Sequence, residues 1–142
     1  MVLDYDVYDA PAREMLQKIA VELNFPDEPV RALWITRSVF MALREAISVD
    51  SSLKLIENLP DEIKMLYTDG WDRGKEPVRH ETAENFYNAV RNYSDTVPMD
   101  FFDDTQTRQA VQAVFSVLRT PANAEAVDEI KDQLPVSLGT NI

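Results

Sequence analysis

Val39-Phe40-Met41-Ala42-Leu43-Arg44, with Leu59-Pro60 downstream, is written a second time as Val114-Phe115-Ser116-Val117-Leu118-Arg119, with Leu134-Pro135 downstream. Both pairs are offset by 75 residues (114 − 39 and 135 − 60), so the match needs no gap. Conservative pairs extend it: Asp50 with Glu125, Leu55 with Ile130, Glu57 with Asp132, Asn58 with Gln133. A gapless recurrence across a helix, a turn and a second helix marks one supersecondary unit used twice. The expected fold is all-α, with two pseudo-repeated units of three to four helices each in one compact bundle. The copies span about residues 10–68 and 79–142, joined by loop 68–78. Each alone is near the lower size limit for independent stability, so they are expected to share a core in a single domain.

The periodicity outside the repeat agrees. Ala12, Met15, Leu16, Ile19, Ala20 and Leu23 form one apolar stripe, with Asp9 as cap and Pro11 in the first turn. Val30, Leu33, Trp34, Ile35, Val39, Phe40, Leu43, Ala46 and Ile47 cover more than one face of a second helix, which predicts a central position. Ser48 is placed to cap a short third helix holding Leu53, Leu55 and Ile56. Pro60 and Pro135 read as helix starts, because proline cannot continue a helix but suits a first turn. Ile63, Leu66 and Tyr67 then form a buried stripe.

In the second copy, Ala83, Phe86, Tyr87, Val90 and Tyr93 mark the counterpart of the first helix. Pro98, Phe101 and Phe102 suggest a connection resting on the core. Asp103 with Gln106 resembles a capping box for the helix of Ala110, Val111, Val114, Phe115 and Leu118, and a further helix holds Val127 and Ile130. Gly139 costs about 1 kcal/mol relative to alanine inside a helix, so the final helix should be degenerate.

Composition narrows the function. The chain has 142 residues, 45% hydrophobic and 27% charged, and no cysteine, which removes disulfides, thiolate metal sites and cysteine nucleophiles. A net charge of −11 repels phosphate backbones and anionic lipid headgroups, so nucleic-acid binding is not expected. Met1-Val2-Leu3-Asp4 lacks a signal's basic start, and the apolar stretch from Val30 to Ile47 is broken by Arg31, Arg37, Arg44 and Glu45. A cytoplasmic protein with no membrane span is the expectation.

Leu59-Pro60-x-x-Ile63-Lys64-x-Leu66-Tyr67-x-Asp69-Gly70-Trp71-Asp72, then Pro77-Val78-Arg79 and Phe86-x-x-x-Val90, resembles the bacterial "domain of unknown function 2267" family. The resemblance runs from about Met15 to Pro135. It implies a small acidic helical protein with a repeated helix-turn-helix ending in Leu-Pro. That family has no assigned activity, so no catalytic residue is carried over. The Tyr67-Gly70-Trp71 stretch has no counterpart after Pro135, so any role it has exists once.

Candidate residues therefore come from the chain itself. Trp71, beside Gly70 and two acids, either docks on the core to pin the linker or contacts a ligand or partner. Arg44 and Arg119, at equivalent helix ends, either serve the helix dipole and pair with a carboxylate or grip one anion between the copies. His80 reads as a solvated or capping residue, since no nucleophile and orienting group are readable beside it. The acidic groups lack calcium-loop spacing, so neither metal nor cofactor is expected. Three functions are open. The first is a non-enzymatic protein acting through contacts with a protein partner or with a second copy as a homodimer. The second is a small-molecule-binding module with a pocket between the copies near Tyr67 and Trp71. The third is an enzyme using carboxylates and His80.

Overall fold

The computed structural model describes residues 4–94 and 103–139. Among these there are eight α-helices and no strand: α1 (Ala10–Glu22), α2 (Pro29–Ala46), α3 (Val49–Ile56), α4 (Asp61–Thr68), α5 (Ala83–Asn92), α6 (Asp104–Leu118), α7 (Ala124–Ile130) and α8 (Val136–Gly139). The fold class is the one expected. Residues before and after the linker contribute to one contiguous apolar cluster. The expected resting of Pro98, Phe101 and Phe102 on the core lies outside the described residues.

Local chemistry sets most helix ends. Ser48 Oγ accepts the Ser51 N–H at 3.2 Å, Thr82 Oγ1 accepts that of Asn85 at 3.2 Å, and Asp103 Oδ1 that of Gln106 at 2.8 Å. Pro60 and Pro135 immediately precede α4 and α8, and their carbonyls accept the N–H of Lys64 and of Gly139, each at 2.9 Å. The starts of α2 and α6, of α3 and α7, and of α4 and α8 are each 75 residues apart (104 − 29, 124 − 49, 136 − 61), the spacing of the sequence repeat. α5 departs from this register: it starts 73 residues after α1 (83 − 10) and is shorter, 10 residues against 13. Among the described residues α8 spans a single turn, Val136–Gly139.

α2 is central, packing against α1, α4, α5 and α6. Phe40, Leu33, Ile35, Val39 and Leu43 are buried, and Thr36 Oγ1, also buried, donates a hydrogen bond to the Ala32 carbonyl at 2.7 Å. The segments before and after the linker meet where α1 packs on α6, α2 on α5 and α6, and α3 on α7. Gln133 Oε1 accepts the Ser48 N–H at 2.7 Å, while its Nε2 donates to Ser51 Oγ at 2.8 Å. Asn58, which pairs with Gln133 in the repeat, donates to the Ala122 carbonyl at 3.3 Å. Lys54 and Glu129, themselves 75 residues apart (129 − 54), form an ion pair at 3.3 Å.

Three local expectations are corrected. Val30 and Leu53 face solvent, 47% and 40% exposed, because neighbouring elements cover other faces of α2 and α3. Ser51 and Ser52 are buried in their place, with their hydroxyls hydrogen-bonded to Gln133 and Tyr67. Asp9 occupies the cap position of α1 without a side-chain capping bond; its N–H instead donates to Glu62 Oε2 at 2.5 Å. α1 ends through Asn24 at φ +66°, with Asn24 N–H donating to the Val21 carbonyl and Phe25 N–H to that of Ala20.

Candidate functional site

The linker after α4 does not hang free. Gly70 stands at φ +69°, the left-handed region, with open space where a Cβ would lie, so it is the backbone angle that calls for glycine. The turn returns Trp71, whose N–H donates to the Thr68 carbonyl at 3.0 Å. Its indole meets the Tyr67 ring edge-to-face, centroids 5.7 Å apart at 89°. Asp72 Oδ1 accepts the Gly74 N–H at 3.0 Å, and the Val78 N–H donates to the Glu45 carbonyl at 2.8 Å. The linker is thus tied at both ends.

Tyr67 is the inner pin. It is fully buried, packs edge-on to Phe40 at 5.1 Å, and shares a 2.6 Å hydrogen bond with Ser52 Oγ. Burial pushes its phenol well above the ordinary range, so it stays protonated. Arg44 is the second pin. Its Nη1 donates to the Tyr67 carbonyl at 2.9 Å and to the Asp69 carbonyl at 2.7 Å. It therefore serves the C-terminal end of α4, not its own helix, and satisfies carbonyls that a helix end leaves orphaned. Burial lowers the proton affinity of this guanidinium, with Tyr67, Tyr93 and Asp69 acting in opposition.

Between this linker and the body lies a cleft of about 540 Å³. One wall is the C-terminal part of α2 with Met41, Arg44 and Glu45, and a second is the turn into α3 at Ile47, Ser48 and Val49. The linker from Gly70 to Val78 forms the third, and Tyr93, at the end of α5, closes it. The Glu45 carboxylate takes a hydrogen bond from the Tyr93 phenol; burial first, then this bond, raises the Tyr93 pKa.

The structure sorts the candidate residues. Arg44, Gly70 and Trp71 line the cleft; Tyr67 lies behind Trp71 and does not. The cleft is built by the first copy and the linker, with Tyr93 alone contributed from the second. Arg119 is elsewhere in function: it pairs with Asp128 at 2.5 Å on the surface, so the two arginines do not meet on one partner. The Asp128 carboxyl is held low by Arg119, with Lys131 adding to the effect. Glu45 and Tyr93 were missed by sequence reading. Glu45 reads as an interruption of an apolar helix, and Tyr93 as the last residue of a stripe.

His80 corrects its expectation too. Thr82, not His80, caps α5. The imidazole stacks edge-on against Phe86 at 5.9 Å, and Nε2 is shielded from solvent with no hydrogen-bond partner. Burial lowers its pKa, against a weaker opposing pull from Glu45. The unfolded chain therefore binds this proton more readily, and stability is lost as pH falls through the ordinary histidine value toward the lower folded one. His80 is the sole histidine. The melting temperature should begin to drop as pH falls below about 7 and through the ordinary histidine value of about 6.5. His80→Phe should flatten that slope, and a slope unchanged in the variant would place its origin elsewhere.

Among the described residues no group of histidine and carboxylate side chains is arranged to hold a metal ion, and no helix is long and apolar enough to cross a membrane. A search of curated proteins returns no match. A family model described as "Uncharacterized conserved protein (DUF2267)" matches residues 12–140, nearly the whole chain, and the protein belongs to that family.

Proposed function

We propose that this protein is a non-catalytic binding module that holds a small molecule in the cleft beside Trp71. The observation that carries the reading is the cleft itself. It falls within the range of about 300–1,000 Å³ typical of ligand sites, and mixes aromatic and aliphatic walls with a few fixed polar groups. Its walls are also tied in place before any ligand arrives, by Arg44, Tyr67 and the Val78–Glu45 bond. Preorganisation of this kind lowers the ordering cost of binding.

Action through contact with another protein or a second copy ranks behind it. Among the described residues the large exposed apolar side chains fall one to an element: Val7, Val21, Val30, Leu53, Met65, Val78 and Val136. Single exposed apolar residues are ordinary surface, whereas a docking face needs a continuous patch. An enzymatic role has less support still, since the one imidazole turns a shielded nitrogen against the core. Indifference to nucleic acid remains the proposal that the charge of −11 supports, and a cytoplasmic setting the one that the cysteine-free sequence fits.

The test is a metabolite library screened by thermal shift, followed by Trp71 emission in a Trp34→Phe background. Hits should perturb Trp71 and should lose their stabilisation in Trp71→Ala. A library in which no compound shifts the melt sinks the reading.

A further inference from the structure

We propose that His80 is a proton-operated latch on this cleft: on acidification its ring takes up a proton, leaves its seat on α5 and frees the wall formed by Pro77 and Val78. That wall is lightly held. From residue 72 to residue 82 every residue but His80 is exposed. Among the described residues, the second half of the linker is therefore fixed to the body by one backbone bond and one side chain. The bond runs from the Val78 N–H to the Glu45 carbonyl at 2.8 Å. The side chain is His80, two residues further on, whose ring rests against the fully buried Phe86 of α5.

A proton changes what this seat can hold. A neutral imidazole carries one N–H and one bare acceptor nitrogen, whereas the cation carries an N–H on both. Nε2 is shielded from solvent and has no hydrogen-bond partner, so a seated cation leaves one charged donor facing neither water nor an acceptor. Burying a charged donor in that way is strongly unfavourable. Swinging the ring into water removes the penalty, and the chain that carries the ring is the chain of the wall. The surroundings do not offset it. From α2 the Glu45 carboxylate attracts the cation, but burial outweighs that attraction, and the same carboxylate is bonded to the Tyr93 phenol at the end of α5. Arg79 and Glu81 on its own segment, and Glu84 in the first turn of α5, are exposed. The closed wall thus binds the proton less readily than the open one, and falling pH favours opening. Trp71, which anchors the first half of the linker, rests on Tyr67, whose phenol stays protonated throughout. Acid therefore acts on the second half alone.

The opening needs no ligand and is measured without one; its consequence, a small molecule held near neutrality and let go in acid, rests on the binding reading above. The experiment is amide exchange of the full chain, followed by NMR about one unit above and one unit below the ordinary histidine value of about 6.5. Each rate is compared with the free-chain rate at the same pH. Protection of the Val78 N–H should fall by up to about tenfold between the two conditions, the limit that one proton sets over that interval. The Trp71 N–H and the amides of α2 should keep their protection. In His80→Phe, which leaves an aromatic ring against Phe86 and cannot titrate, Val78 should stay protected in both conditions. In His80→Gln, which fills the seat poorly and carries no charge, Val78 should be loosened equally in both. Protection at Val78 that ignores pH, that falls as far in His80→Phe, or that falls in step with the amides of α2 overturns the proposal. A metabolite library without a hit, together with this pattern at Val78, ends the binding reading and leaves the latch standing.

Discussion

Tyr67→Ala should destabilise the protein by about 3–5 kcal/mol, the range for truncating a buried aromatic. That is a large share of the 5–15 kcal/mol typical of a domain, measured as a fall in the urea midpoint. The reason is position. Tyr67 is fully buried and joins four parts of the protein at one ring: Phe40 of α2, Ser52 of α3, its own α4 and Trp71 of the linker. Its two contributions can be separated. Tyr67→Phe keeps the packing and removes one hydroxyl, which should cost about 1–2 kcal/mol by leaving Ser52 Oγ without its partner. Adding Ser52→Ala should then cost less than the sum of the single changes, because neither partner is left unsatisfied. Additive losses would show that the 2.6 Å bond contributes nothing of its own.

Arg44→Ala is the second large effect, expected at about 3 kcal/mol for the loss of charge-assisted bonds to the end of α4. Arg44→Lys should recover only part of it, since an ammonium is shorter in reach and more strongly hydrated than a guanidinium. The loss should also be local. With the Tyr67 and Asp69 carbonyls released, the linker loosens, and Trp71 emission should shift to the red before global unfolding. Arg119→Ala should be much milder, because its partner Asp128 is on the surface, where ion pairs contribute little. Equal losses at the two arginines would mean that sequence position, not the α4 end, decides their role.

These two arginines also show how far the sequence could be read. Their equivalence was visible in a six-residue stretch with four identities, and so was the α-helical class. The starts of α2, α3 and α4 recur 75 residues later because cap and proline signals are local. Ser48, Thr82 and Asp103 act on N–H groups three residues away, within their own segment. Partners were not legible. Arg44 reaches 23 and 25 residues along the chain, and Gln133 reaches back to Ser48 and Ser51, over 80 residues. Periodicity placed Val30 and Leu53 on apolar faces but could not say which face a neighbour would cover.

The cleft was half legible. Trp71 and Gly70 stood out as a bulky ring and a permissive turn in a polar linker, and both line it. Tyr67 belongs beside them but behind the wall. Glu45 and Tyr93 come from segments that meet only because α5 packs against α2. No spacing in the sequence records that contact.

Amide hydrogen exchange tests most directly whether residues 69–78 form a fixed wall of the site. The Val78 N–H, donated to Glu45, and the Trp71 N–H, donated to Thr68, should exchange about two orders of magnitude or more below free-chain rates. Free-chain exchange at both positions, with the amides of α2 still protected, would show a loose connection and no preformed cleft.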